Sequence, residues 1–435
     1  MKISIPAILE SLFTTMASVI DSKMVSSMGL AAISAISVTN QPRLFVLCVF
    51  FAINTTVSSL TARAVGKGDR PAANRLLITA LSISLALGAA ISALCVVFAE
   101  PIMRLCSNQP DTMADSVLYF RIVMGGMLFN IIFMLINAAQ RGCGHTKLTL
   151  VSNIVSSGVN ILLNYMLIEG NWGAPALGIR GAAIATVAGT AAALVVCLAF
   201  ALRPGTFVSL HYCIANRVRF ALSSLKDILG MWKKVVSENL ATRLSFLLAG
   251  IIAAYTGSFS MSVYSVGMHL MNINFALGSG MQAAAVALVG KSFGAKDDNG
   301  VRAYSDMILR MGMIAALVLS VLFIAFGRPY YAFFGDEEAF IRTGMLSCIV
   351  IGVISPIQAR QIIYNGVFQG TGDVRFTMNA AIISMVVLNA VSFVGTVWLQ
   401  GGIWGIWAGS LASQLVRMAL LQHRYHRTIK HGGGV

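Results

Sequence analysis

Three acidic residues, Glu10, Asp21 and Glu238, stand inside long apolar stretches of this 435-residue chain. An ionisable group within hydrocarbon costs about 2.5–3.5 kcal/mol on insertion scales, so each is a functional candidate. A carboxylate stripped of water is neutralised by a proton or a small cation such as sodium, which is the chemistry of ion coupling. Neutral oxygens at helical spacing can complete such a site. Asn160 and Asn164 are one turn apart on one helix face, and Thr186 lies in the next apolar stretch. Asp21, Asn160, Asn164 and Thr186 are therefore the candidate ion-coupling set, with no resident metal beyond a sodium ion at Asp21. The plainer readings are an Asp21–Lys23 pair at the outer interface and amide bonds between helices, each worth about 0.6–2 kcal/mol.

A second group of polar residues is expected to line a substrate cavity. In the first half these are Asn40, Gln41 and Arg43 around Pro42, with Asn54 further along. In the second half they are Glu238, His269, Asn272 and Gln282, followed by Gln358 and Gln361. Gln41 corresponds to His269 and Asn54 to Gln282, so polar groups recur at matched places. Pro42 removes one backbone hydrogen bond and is expected to kink its helix.

The elements that hold these residues are membrane helices. The chain is 57% hydrophobic and 11% charged, against about 25% charged in a soluble domain. Twelve apolar stretches reach the roughly 20 residues that cross a ~30 Å hydrocarbon core. They span about 5–27, 35–59, 76–98, 117–138, 148–168, 180–202, 235–256, 262–289, 307–327, 342–364, 374–398 and 402–422. The ten-residue alternation of a transmembrane β-barrel is absent. The first stretch holds Glu10 and Asp21 and has no small-x-small cleavage site, so it reads as a retained helix.

The chain is also duplicated. Ala139–Thr149 recurs as Val367–Thr377, and Ala64–Asp69 as Ser292–Asp297, both at an offset of 228 residues (142 to 370, 66 to 294). The same shift puts Glu10 on Glu238. Residues 1–202 form an amino lobe, 203–234 a basic linker and 235–435 a carboxyl lobe. Six helices per half is an even number of crossings, so a pseudo-two-fold axis along the membrane normal relates the lobes. The fold class is all-α integral membrane, twelve transmembrane helices in two six-helix lobes.

A net charge of +15 invites a nucleic-acid reading, but its placement argues for topology instead. Basic residues gather at the amino end, in every even-to-odd loop and in a tail of Arg417, Arg424, Arg427 and Lys430. The positive-inside rule then puts both termini in the cytoplasm. The seven cysteines are scattered and never spaced CxxC, so neither a disulfide framework nor a zinc site is expected. No P-loop, HExxH or GxSxG is present, which leaves no motif for an ATP-driven pump, a protease or another enzyme, and no cofactor is expected. The glycine pairs Gly142/Gly144 and Gly370/Gly372 read as tight turns rather than phosphate cradles.

Taken in order, several segments carry a resemblance: Pro6 with Glu10 and Asp21, Gly66-Lys67-Gly68-Asp69, Gln140–Lys147, Asn160–Asn164, Gly178–Thr186, Gly294–Asp297 and Gln369–Arg375. The chain resembles the multidrug and toxic compound extrusion (MATE) family over essentially its whole length. The resemblance implies a secondary antiporter in the plasma (inner) membrane of a bacterium. It would act as a monomer and export small organic, mostly cationic compounds in exchange for protons or sodium ions. Asp21 matches the family's ion-site aspartate, Asn160 its asparagine and Thr186 its threonine. Asn164 stands where many members have a second aspartate, and Gln358 and Gln361 occupy a stretch where some sodium-coupled members have a carboxylate. With one carboxylate in the cluster, proton coupling is the favoured reading. Two other readings remain: a flippase for lipid-linked sugars, for which Arg43 and Arg243 could hold pyrophosphate, and a non-transporting membrane scaffold.

Overall fold

Helix boundaries in the computed structural model follow from glycine and aspartate at matched places in the two halves. It describes residues 28–106 and 110–430, together with Phe13, Ala17, Ile20, Asp21 and residues 23–25. Pro6, Glu10 and the 432–434 glycine tail lie outside the described residues. The helical residues from Phe13 to Val25 belong to the first expected span.

In the first half, α1 (Leu30–Gly66) and α2 (Arg70–Val97) are followed by the short α3 (Ala99–Cys106). Next come α4 (Pro110–Gly125), α5 (Met127–Gly142), α6 (Thr146–Glu169) and α7 (Ile179–Ala201). A short α8 (Leu210–Ala215) precedes α9 (Leu222–Tyr255). The second half continues with α10 (Ser258–Gly294), α11 (Asp298–Ala325), the short α12 (Gly327–Ala332) and α13 (Glu338–Thr371). It closes with α14 (Val374–Phe393) and α15 (Ile403–Tyr425). Among the described residues nine helices are long and apolar enough to cross a membrane, or ten when α4 and α5 count as one bent span. α15 adds 23 residues, about 34 Å at 1.5 Å per residue.

The duplication holds at the level of single caps. α1 and α10 are both 37 residues long, and α2 and α11 both 28. Gly29 and Gly257 precede α1 and α10 with φ of 96° and 99°, a region that favours glycine. Asp69 caps α2 by accepting from Ala72 N at 2.9 Å, and Asp297 caps α11 by accepting from Gly300 N at 2.9 Å. Each satisfies one of the otherwise orphaned first-turn donors. Ser92 Oγ donates to the Met124 carbonyl at 2.6 Å, and Ser320 Oγ to the Gly352 carbonyl at 2.7 Å, again 228 residues apart (92 to 320, 124 to 352).

The halves differ at one span. The 117–138 stretch reads as a single helix, yet the structure breaks it into α4 and α5, bent by 45° around Gly126. Two adjacent glycines weaken the helix there. A Cβ at Gly126 would sit 2.4 Å from Val187 Cγ1 on α7, so the bend is packed against a β-branched side chain. The matching α13 runs unbroken for 34 residues through Pro356. Pro42 likewise lies inside the continuous α1.

The chain divides into two compact units, Met1–Trp232 and Lys233–Val435. The first packs around Phe50, Leu77, Met103, Phe120 and Leu135. The second packs around Trp407, Tyr331, Tyr264 and Ile351. Much of the basic linker belongs to the first core: Val208 is fully buried and Ile228 is 2% exposed. Asn74 holds it, donating to the Phe207 carbonyl at 3.0 Å and accepting from Ser209 N at 2.9 Å. Outer faces are apolar. On α11 the exposed Ile314, Leu317, Val318, Val321 and Leu322 make a helical stripe suited to lipid chains.

Candidate ion-coupling site in the first unit

Close approach of α6 and α7 builds the site. A Cβ at Gly181 would meet the Leu167 carbonyl at 2.5 Å, and one at Gly189 the Ser156 carbonyl at 2.6 Å. Glycine at both places lets the two helices pack backbone to backbone, bringing Thr186 opposite Asn160. Asn160 Nδ2 reaches Thr186 Oγ1 at 3.5 Å, and Thr186 Oγ1 donates to its own-turn Ala182 carbonyl at 2.9 Å. One turn along α6, Asn164 Nδ2 lies 3.4 Å from Asn160 Oδ1 and donates to Asp21 Oδ1 at 2.5 Å.

The result is a polar chain Asp21–Asn164–Asn160–Thr186 across three helices of one unit. Asn164 is fully buried, and its Oδ1 has no hydrogen-bond partner among the described residues. A buried carbonyl oxygen left open beside a carboxylate is the place for a proton donor or a small cation. The available donors, a carboxylate, amide oxygens and a hydroxyl, are all oxygens. They fit a proton or a hard monovalent ion better than a transition metal. Among the described residues no cluster of three His, Cys, Asp or Glu could hold a metal.

Two further residues attend the site. Tyr119 on α4 is 4% exposed, hydrogen-bonds with Thr186 and lies within electrostatic range of Asp21 and Arg43. Its sequence signal, one tyrosine in an apolar run, does not separate it from ordinary packing. Arg43 on α1 draws on Asp21 electrostatically and lines a cleft of about 340 Å³ of empty space. Asn130, Thr186, Val187 and Thr190 share that cleft, which borders the bend at Gly126.

The other sequence candidates do not join this chain. Asn40 and Gln41 are exposed on α1, and Asn54 is buried with its Nδ2 unpartnered. In the second unit His269 is exposed and stacked over Phe334, and Asn272 is exposed. Gln282 Nε2 donates to Gln369 Oε1 at 2.9 Å, and Asn274 Nδ2 to Gln358 Oε1 at 2.5 Å. Gln361 is buried with its Oε1 unpartnered. Glu238 is 2% exposed and forms an ion pair with Arg417 at 2.7 Å. This corrects the expected place of Arg417. Rather than a solvated cation in the cytoplasmic tail, it is a buried residue of α15, because Glu238 supplies the opposite charge that burial requires.

The MatE family model matches residues 6–166 and 235–394, one block in each half. The chain belongs to the MatE family. This MatE chain is 24% identical to a "Probable multidrug resistance protein NorM" of Thermotoga maritima, covering 96% of this chain and 90% of the relative. It is 26% identical to a protein of the same description from Burkholderia pseudomallei, over 98% and 92%. Its fold matches a solved structure described as the outward-facing conformation of a multidrug resistance MATE family transporter, with a TM-score of 0.92 and 17% identity. That match covers 100% of this chain and 96% of the other. The MatE chain is therefore a multi-pass transporter with twelve membrane helices in two lobes, and it is not an enzyme.

Proposed function

We propose that the protein is a secondary antiporter that exports small organic, mostly cationic compounds in exchange for protons, with Asp21 as the coupling residue. The observation that carries this reading is the buried Asp21–Asn164 contact, extended through Asn160 to Thr186. An external proton neutralises Asp21, and the open Asn164 Oδ1 accepts a hydrogen bond from the protonated carboxyl. Release of that proton to the opposite side restores a negative charge, which attracts cationic cargo. A single carboxylate among neutral oxygens favours a proton over sodium, since a sodium ion would keep a net charge only partly shared. The basic loops support cytoplasmic termini in the inner membrane of a bacterium, and the chain needs no second copy to complete the site.

Dye efflux from proteoliposomes, with a pH gradient and a sodium gradient imposed separately, tests the reading. Efflux should follow the pH gradient and vanish in Asp21→Asn. Arg43 in the cleft favours a second reading, an anionic lipid-linked cargo. On that reading Arg43→Gln abolishes transport while Asp21→Asn leaves it intact.

A further inference from the structure

The two units treat their buried carboxylates differently. Asp21 is met by a neutral amide, whereas every oxygen of Glu238 is engaged and one partner is a cation. Arg417 Nη2 donates to Glu238 Oε1 at 2.7 Å, Asn365 Nδ2 to the same oxygen at 2.5 Å, and Thr377 Oγ1 to Oε2 at 3.0 Å. The side chains of Arg417 and Glu238 are 11% and 3% exposed. Guanidinium stays protonated under all ordinary conditions, so Glu238 carries a fixed counter-charge.

Access is not what keeps an ion from Glu238. A cleft of about 310 Å³ of empty space, lined by Ser245, Ser384, Ser413 and Gln414, reaches Arg417. The hydroxyls of Ser384 and Ser413 donate to carbonyls of their own helices, which leaves their oxygens facing the cleft as acceptors. Gln414 Oε1 is buried there without a partner. Such a lining suits a small cation, and what it meets instead is the guanidinium.

Other charges on the helices around Glu238 are committed elsewhere or lie along the same helix. On α15, Arg424 pairs with Asp373 at 2.9 Å, and Tyr425 donates to Asp306 at 2.9 Å. On α13, Arg360 donates to the Tyr364 hydroxyl at 3.2 Å. Lys234 and Arg243 lie about one turn away on α9, and Arg375 stands at the start of α14.

We propose that Arg417 is a built-in cation of the second unit: by neutralising Glu238 from within, it removes that carboxylate from ion exchange and limits the transporter to one exchanged cation per cycle, taken at Asp21. This rests on the antiport reading above. It makes Arg417 a positioning residue that sets stoichiometry, acting through Glu238.

The test measures coupling stoichiometry in proteoliposomes, by balancing an ethidium gradient against an opposing pH gradient. Wild type should balance at one proton per ethidium, Arg417→Lys likewise, and Arg417→Gln should move toward two, a doubling of the slope. Should Arg417→Gln fail to fold, the double variant Glu238→Gln/Arg417→Met, which leaves no unpaired charge, should retain one proton per ethidium. A wild-type ratio near two that falls on Glu238→Gln overturns the proposal, as does loss of gradient-driven efflux in the double variant. A transport-independent arm separates this from failure of antiport itself. Infrared difference spectra between acidic and alkaline pH should lack a Glu238 carboxyl band in wild type and gain one in Arg417→Gln. A Glu238 band in wild type sinks the idea whether or not ethidium moves.

Discussion

Asn164 donates its Nδ2 hydrogen to Asp21 Oδ1 at 2.5 Å while its own Oδ1 stays unpartnered, so one amide both steadies the carboxylate and offers an acceptor beside it. Hydrogen bonds to charged groups contribute about 1.5–3 kcal/mol, and 1.4 kcal/mol is a factor of ten. Asn164→Ala should therefore cut pH-driven efflux about 10- to 100-fold. Asp21→Asn should abolish it, with membrane insertion unchanged. Both are read by dye efflux at matched protein levels.

Asn164→Asp is expected to change the coupling ion. It sets a second carboxylate beside Asp21, and a unit charge at ~4 Å is worth up to about 4 kcal/mol at an effective dielectric near 20. Two negative charges hold a sodium ion that one does not. A sodium gradient should then drive efflux from vesicles clamped at constant pH, where the unaltered protein shows none.

The repeat makes a paired stability prediction. A Cβ at Gly142 would meet the Ser58 carbonyl at 2.5 Å and Thr61 Cβ at 2.9 Å, whereas one at Gly370 meets Gly290 N at 3.1 Å and the Val286 carbonyl at 3.3 Å. Gly142→Ala should cost about 1–3 kcal/mol as an overpacked site. Gly370→Ala should cost clearly less, since its neighbours need to yield only slightly. Thermal unfolding of the two variants in detergent gives the order.

His145 offers a pH dependence with a defined sign. Its ring packs edge-on against Phe200 at 5.6 Å, and burial holds the imidazole below its ordinary value. The unfolded chain takes up this proton near the usual pKa of about 6.5, while the folded chain resists it. The stability contributed is complete above the unfolded value and is lost as pH falls through the folded one. The thermal midpoint of the wild type should drop from pH 7 to pH 5 by more than that of His145→Gln.

Asn74→Ala should loosen the linker. The side chain donates to the Phe207 carbonyl and accepts from Ser209 N, and leaving such buried partners unsatisfied costs about 1–3 kcal/mol. Limited proteolysis should then cut between Arg203 and Phe220 several times faster, with the membrane helices left whole.

Much of the architecture is legible because its signals are local. Apolar run length sets the spans, and the Gly-x-Gly-Asp and Gly-Ala-Lys-Asp turns announce aspartate caps before α2 and α11. The bend at Gly126 escapes such reading, because the apolar run continues through it and its cause, Val187, lies on another helix. In the site, Asn160 and Asn164 declare themselves by spacing on one face. The step from Asn160 to Thr186 depends on Gly181 and Gly189 letting α6 and α7 touch, a tertiary fact. Tyr119 looks like any aromatic in an apolar stretch. Arg417 misled for a related reason: its charge reads as a boundary marker, and only the distant Glu238 accounts for its burial.

The register between halves has a practical side. From Gly29 to Gly372 each positive-φ glycine finds its counterpart at one constant separation, but the pair heading α7 and α15 lies closer, at 224 residues (178 to 402). Chain length has drifted in the segment leading into Gly178 and Gly402 and nowhere earlier. Those short connections are where a purification tag or reporter domain can be spliced in with least risk, while a single-residue insertion in the α1–α2 or α10–α11 corner would put every downstream contact out of step.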